Sequence, residues 1–330
     1  MPENATVAQG VQIGKETTPG TGVAAGKLLQ YTSFDLDPQV ETIDFRPMGS
    51  KISGTILPGK DYTNLGITGQ GSYQELPYLL SSLLIDATPT TVDTSGKQWL
   101  YEPTNRTENT KARYTIEQGS ATRAGKATFG AVTGLEVTFN RESGVSISGS
   151  GFAQQYQDNI TLTSSPTTIA EAPILPTHLN VYVNDSFASI GTTKLTRDFN
   201  AVWRCNDVAG QVWPINSASA SFAADVELVP TVEMELQAEA DTSGMAFLTA
   251  VRAGATKYIR LEAISTVLAG AATAFYKVWI DGAMKVNSVG GFDDAEGVRV
   301  VNWTLGAVAD STFSATAFTR VTVVNTLAAL

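Results

Sequence analysis

Alternating carboxylates on one strand are the residues of this sequence whose spacing most suggests chemistry. Glu233, Glu235 and Glu239 alternate with apolar residues between positions 232 and 240, so a β-strand places all three on one face. Paired carboxylates at such distances can serve as acid and base in glycoside hydrolysis. The sequence shows no aromatic-lined cleft around them. We therefore interpret them as an exposed acidic face.

Other residues with catalytic or metal-binding chemistry are isolated. The only histidine, His178, follows Pro176, and the only cysteine, Cys205, ends an apolar run, so neither has a partner for a relay or a clustered metal site. Residues 10–16 lack the spacing of a phosphate-binding loop, and residues 292–297 lack that of an EF-hand. We predict no catalysis, no metal and no cofactor, and we interpret residues 10–16 as a flexible N-terminal arm.

The charge balance makes duplex recognition by phosphate neutralisation improbable. The chain has 22 basic and 32 acidic residues, a net charge of −10, and only 16% of its residues are charged. Low charge with frequent glycine and threonine is typical of β-structure that leaves little surface to water. The sequence shows no secretory signal, and its most apolar stretch, residues 267–275, is too short to span a bilayer. We expect cytoplasmic synthesis and no membrane segment.

Period-two alternation predicts a mainly β fold with one helix in each half. The predicted helices are residues 73–84, capped by Ser72 with Glu75 three positions later, and residues 242–252, closed by Gly254. The predicted strands are 29–36, 64–70, 113–117, 135–140, 145–148, 179–183, 199–204, 231–239, 258–263, 276–280, 298–305 and 318–324.

The order of these elements repeats, which predicts two modules. We place the first at residues 1–165 with the N-terminal arm, a linker at 166–177, and the second at 178–330. Each module has a long segment between its first two strands, at residues 37–63 and 206–230. The large apolar side chains of these two arms, which we predict to contact a neighbouring subunit, include Ile43, Phe45, Met48, Ile52, Trp213 and Phe222. A hairpin folded over its own module is the alternative.

Four stretches resemble the tail tube (major tail) proteins of long-tailed, non-contractile bacteriophages. They are QIGKETTPGT at residues 12–21, LLQYTSFDL at 28–36, FRPMGS at 45–50 and QELPYLLSSL at 74–83. The resemblance is clearest over residues 10–155 and weaker over 178–330. It implies tandem β-sandwich or barrel-like modules, each with one flanking helix, whose strands join those of neighbouring subunits around an open lumen.

The resemblance also implies partners and a location. Related tubes use six modules per ring, so two modules per chain imply a trimeric, pseudo-sixfold ring that stacks into a conduit for DNA ejection. A hexamer in which the second half decorates the outside stays open. The implied partners are other copies of the chain, tape-measure, tail-terminator and distal tail proteins, and genome DNA passing non-specifically. Assembly would occur in the host cytoplasm, and the product would be the virion tail, with the acidic face toward the lumen or solvent.

Two other classes remain open at the level of sequence. Tandem β-sandwiches also build virion or cell-surface fibre, decoration and adhesin proteins. A β-fold glycosidase would require Glu233 and Glu235 to work as acid and base.

Overall fold

The protein is mainly β, as predicted, and the computed structural model describes residues 9–215, 220–314 and 316–330. Helix α1 (Leu76–Leu83) follows β4, and helix α2 (Ala246–Ala253) follows β16. The strands before the predicted linker are β1 (Gly10–Lys15), β2 (Lys27–Leu29), β3 (Thr32–Phe45), β4 (Thr55–Gln70), β5 (Thr90–Thr91), β6 (Lys97–Tyr101), β7 (Tyr114–Gly119), β8 (Ala124–Asn140), β9 (Gly144–Ala153) and β10 (Gln157–Ile160). The later strands are β11 (Thr167–Thr168), β12 (Leu179–Asn184), β13 (Asp198–Asn206), β14 (Ala209–Val212), β15 (Ala224–Glu227), β16 (Thr231–Glu239), β17 (Lys257–Leu268), β18 (Phe275–Ala295), β19 (Val298–Ala307) and β20 (Arg320–Asn325).

The two halves of the chain repeat the same antiparallel strand pairing. In the first half, β3 pairs with β4, β4 with β9, β9 with β8, β8 with β7, and β7 with β1. In the second half, β13 pairs with β16, β16 with β19, β19 with β18, β18 with β17, and β17 with β12. The strands β3, β4, β8 and β9 are therefore equivalent to β13, β16, β18 and β19.

Pairing between the halves joins them into one sheet. Strand β8 pairs with β13, so the strands run in the order β3, β4, β9, β8, β13, β16, β19, β18. Strand β6 of the first half also pairs with β20 of the second. The predicted linker runs along the first half, because β11 pairs in parallel with β2 and the backbone N–H of Ile174 donates to the carbonyl oxygen of Gly71.

Alternation along β16 shows how the sequence builds the core. Met234, Leu236 and Ala238 are buried, whereas Glu235 and Gln237 between them are partly exposed. Helix α1 is buried on every side, since residues 84–113 cover it in the first half. Helix α2, which is joined to β17 by only a short turn, keeps an exposed outer face.

The predicted cap of the first helix is wrong. The helix begins at Leu76, with Glu75 at the N-cap and no side-chain cap hydrogen bond. The Glu75 carboxylate instead accepts hydrogen bonds from the backbone N–H groups of Gln30, Tyr31 and Thr32, where the chain passes from β2 to β3. The predicted strand 29–36 is therefore interrupted at this point. The second helix does end at Gly254, which adopts the left-handed conformation.

Two segments predicted to be irregular are ordered strands. Residues 10–15 form β1 rather than a flexible arm, because β1 pairs with both β2 and β7 and Ile13 is fully buried. Residues 1–8 of the predicted arm lie outside the described residues. Most of the segment 37–63 belongs to the long hairpin of β3 and β4, whose tip is residues 46–54.

A carboxylate in the first half binds a turn in the second half. Asp93, in the turn between β5 and β6, accepts hydrogen bonds from the backbone N–H groups of Ala272 at 2.8 Å and Thr273 at 2.9 Å in the second half. These backbone hydrogen bonds lower the pKa of Asp93 well below its usual value. The ionised carboxylate is therefore the form that holds the two turns together.

We expect Asp93→Asn to lower the melting temperature near neutral pH, because an amide binds these N–H groups less strongly than a carboxylate. A lowered pKa in the folded state gives stability that is present above the unfolded pKa and is lost as the pH falls through the folded one. The difference in melting temperature between wild type and variant should thus shrink in acid. Asp44→Asn, on the exposed hairpin, is the control. An unchanged difference across the acid range would contradict this account.

Candidate assembly surface

The junction between the two halves is a regular strand ladder. Asn140 of β8 lies opposite Asn200 of β13, and the pairing continues to Leu135 opposite Cys205. The paired part of β8 is buried at alternate positions, because Leu135, Val137 and Phe139 face the core. Two edges of a sheet that would otherwise be open thus satisfy each other inside one chain.

One arginine links the strands on both sides of this junction. The Arg204 guanidinium forms ion pairs with Glu235 of β16 and with Glu136 of β8. The hydrogen bonds that the Arg204 guanidinium donates to Glu235 and Glu136 raise its pKa. Glu235, one of the predicted acidic residues, is therefore partly neutralised.

The segment 206–230 of the second half, hereafter arm 2, folds over the first half. Its described residues include the hairpin of β14 and β15. Phe222 is 1% exposed and meets Phe129 and Phe152 edge-on, with ring centroids 5.1 and 5.2 Å away. Trp213 packs against Phe222 and against Tyr62 of β4. The prediction that Phe222 contacts a neighbouring subunit is corrected, because its own chain encloses it. Trp213 contacts its own chain but stays partly exposed, so its contact with a neighbour remains a prediction.

Charged residues fix arm 2 in place. Lys111 contacts Glu227 at 3.1 Å, and Arg113 forms an ion pair with Asp225. Burial alone raises the pKa of Glu227, but hydrogen bonds from Asn109 and Lys111 lower it overall. Lys111 and Arg113 are two positions apart, and so are Asp225 and Glu227. This matching spacing is a signal for the contact that the sequence contains and that our predictions did not use.

The two outermost strands of the eight-stranded order have open edges. Strand β3 pairs with β4 alone among the described strands. Strand β18 beyond Lys285 pairs with β19 on one edge, and no described strand lies on the other. In the equivalent part of β8 that second edge is occupied by β13. The open part of β18 is exposed on both faces and carries Val289 and Phe292, which are 42% and 54% exposed.

Residues 43–57, the outer part of the β3–β4 hairpin and of the predicted arm 37–63, are hereafter arm 1 and expose most of their large apolar side chains. Met48 is fully exposed and Ile52 is 76% exposed. The other members with large exposed areas are Ile43, Phe45, Ile56 and Leu57. Arm 1 thus occupies the place in the first half that arm 2 occupies in the second, but no described part of its own chain covers it.

One face of the continuous sheet is polar across all eight strands. Directly opposed residues share a face, so the strand registers define this polar face. Its members include Ser33, Asp35, Asp37, Gly66, Thr68, Glu136, Thr138, Ser146, Ser148, Asn200, Arg204, Glu233, Glu235, Gln237, Glu239, Asn302, Thr304 and Lys285. Val202, Val300 and Phe152 are buried apolar exceptions on the same face. The face combines small polar side chains with an excess of carboxylates.

The predicted acidic residues and the isolated reactive residues lie in different places. Glu233, Glu235 and Glu239 share the polar face, as the alternation predicts, and Glu239 pairs with Arg197 at 3.0 Å. His178 is buried, with its Nδ1 3.1 Å from the Tyr73 hydroxyl, and burial lowers its pKa. Burial raises the pKa of the Cys205 thiol to about 12. Among the described residues no group of three or more His, Cys, Asp or Glu side chains could hold a metal ion.

No protein-family model matches the chain, and no curated protein is similar to it at a significant level. Within the described ranges, neither helix has the length and apolar character needed to cross a membrane.

The two arms give a matched stability test. We expect Phe222→Ala to lower the free energy of unfolding by about 3–5 kcal/mol, because a buried aromatic ring leaves a cavity. Phe45→Ala, which removes a 53% exposed ring from arm 1, should change it by no more than about 0.5 kcal/mol in the isolated chain. Urea unfolding measures both values. Equal losses for the two variants would mean that arm 2 is not docked as described.

Proposed function

We propose that the protein is the subunit of a tail-type tube, which polymerises as stacked rings and conducts phage DNA during ejection. The observation that carries this proposal is the pair of open edges at the two ends of one sheet. Strands β3 and β18 are the equivalents of β13 and β8, the two strands whose edges pair in the middle of the chain. The chain thus has, at its two open edges, the equivalents of both strands of its internal junction. A second copy can therefore pair with it through the same contact.

The internal junction supplies a register for the contact between copies. The strand pairings make Val289 the equivalent of Leu135, and Pro38 the equivalent of Cys205. Since Leu135 lies opposite Cys205, we expect Val289 of one copy opposite Pro38 of the next. Proline lacks a backbone N–H, and at this position it ends the expected ladder rather than interrupting it.

This contact is heterologous, so repeating it closes a ring or extends a filament. Three copies would supply six equivalent halves, the number that the resemblance to tail tube proteins implies. The edges themselves suit such pairing, because β3 has no lysine to protect it and the open part of β18 presents Val289 and Phe292.

The polar face supports the role of a conduit. Its carboxylates outnumber its basic residues, Arg204 and Lys285, and Arg204 is engaged by two of them. Such a surface repels phosphates weakly and offers few cations to bind them, so a duplex can slide past it. On this proposal the face lines the lumen, the subunit has no enzymatic activity, and the assembled product is the tail of the virion.

We expect the double substitution Val289→Lys with Phe292→Lys to abolish assembly while leaving the subunit folded. Both side chains are exposed, and lysine on an edge strand opposes pairing. Light scattering after size exclusion and negative-stain microscopy of the concentrated protein measure the result. Val267→Lys, at a 60% exposed position away from the open edge, is the matched control and should assemble like wild type. A wild-type chain that stays monomeric at high concentration, with no rings or tubes, would refute the proposed function.

A further inference from the structure

A groove with an apolar floor opens where the second half meets a loop of the first half. Its floor is Val232, Ala307 and Val308, one wall is the segment Val226–Pro230 of arm 2, and the other is the loop Thr104–Glu108. The cavity volume is about 740 Å³. Val229, in the arm 2 wall, is 88% exposed. No described part of the chain fills this groove.

The floor of the groove has an equivalent in the first half, and there it is covered. The pairings of β16 with β19 and of β4 with β9 define the equivalent residues. Val232 corresponds to residue 63, and Ala307 and Val308 correspond to residues 153–154. Arm 2 lies over that place: the side-chain amide of Gln154 donates to the carbonyl oxygen of Phe222 at 3.0 Å, and the backbone N–H of Asp61 donates to Ala220 at 2.9 Å. The groove is thus the uncovered counterpart of an occupied site.

The occupant of the covered site shows what fits the groove. Arm 2 leaves β13 directly after its ladder with β8, and the backbone N–H of Val208 still bonds to Thr133 of β8 as the arm turns over the first half. Arm 1 leaves β3, the equivalent of β13. If β3 pairs with β18 of another copy in the same register, arm 1 continues along β18 toward Met284, whose partner Ala307 is part of the groove floor.

We propose that arm 1 of one copy docks in the groove of the next copy, with its apolar side chains against Val229 and the groove floor. This inference rests on the proposed self-association and names the surface that completes it. Phe45, Met48 and Ile52 are exposed in the free chain, as an unoccupied anchor segment must be. A second copy is the occupant because the equivalent site is filled by the equivalent arm.

Cross-linking between two variants, each with one introduced cysteine, tests this docking. Met48→Cys protein is mixed with Val229→Cys protein under assembly conditions and treated with a short bismaleimide. The native Cys205 does not compete, because it is fully buried. We expect roughly tenfold more covalent dimer than from Met48→Cys mixed with Ser186→Cys, an exposed control, since docking raises the effective concentration of the two thiols.

The outcomes separate this inference from the proposed function. Rings or tubes that form without the specific cross-link, and in which the Met48→Cys thiol stays as reactive as in the free chain, overturn the docking and leave the tube proposal standing. A wild-type chain that forms no assembly overturns both. As a second measurement, Val229→Glu should reduce assembly and Val267→Glu should not. Equal assembly by the two variants would also overturn the docking.

Discussion

An unpaired strand edge must find a partner, and the rest of this structure follows from how the chain meets that requirement. Backbone N–H and carbonyl groups at a sheet edge are a template for another strand. The duplicated pairing scheme creates two such junctions in principle, and the chain completes only the one between β8 and β13. On the proposed function the second is completed by another copy, so duplication and self-association would both follow from this constraint.

Additional contacts inside the chain strengthen the internal junction. The first half contains residues 84–113, which have no counterpart after α2, and their strand β6 pairs with β20. Asp93 in the same segment binds the turn at residues 272–274. These contacts hold the two halves as one body before any copy meets another. A pseudo-sixfold ring would therefore alternate strong internal junctions with weaker ones between chains.

Local signals in the sequence were reliable where the structure is decided locally. The alternation along β16 placed Glu233 on the exposed face, and Gly254 marked the end of α2. Non-local contacts decided the rest. Glu75 binds a distant chain turn instead of capping its helix, and β1 is a strand because β2 and β7 pair with it. Phe222 looked like an anchor for a neighbour because the sequence does not show that the first half supplies its site.

The two arms differ in side-chain chemistry, and that difference fits the roles proposed for them. Arm 2 docks within the chain through paired charges, Asp225 and Glu227 against Arg113 and Lys111, together with the buried ring of Phe222. A charge pattern of this kind specifies one register and disfavours others. Arm 1 has no matching pair of acids, and its exposed side chains are mainly apolar. Burial of apolar area is non-directional and scales with the area covered. Contact between copies would therefore depend on the strand ladder for its register and on arm 1 for much of its strength.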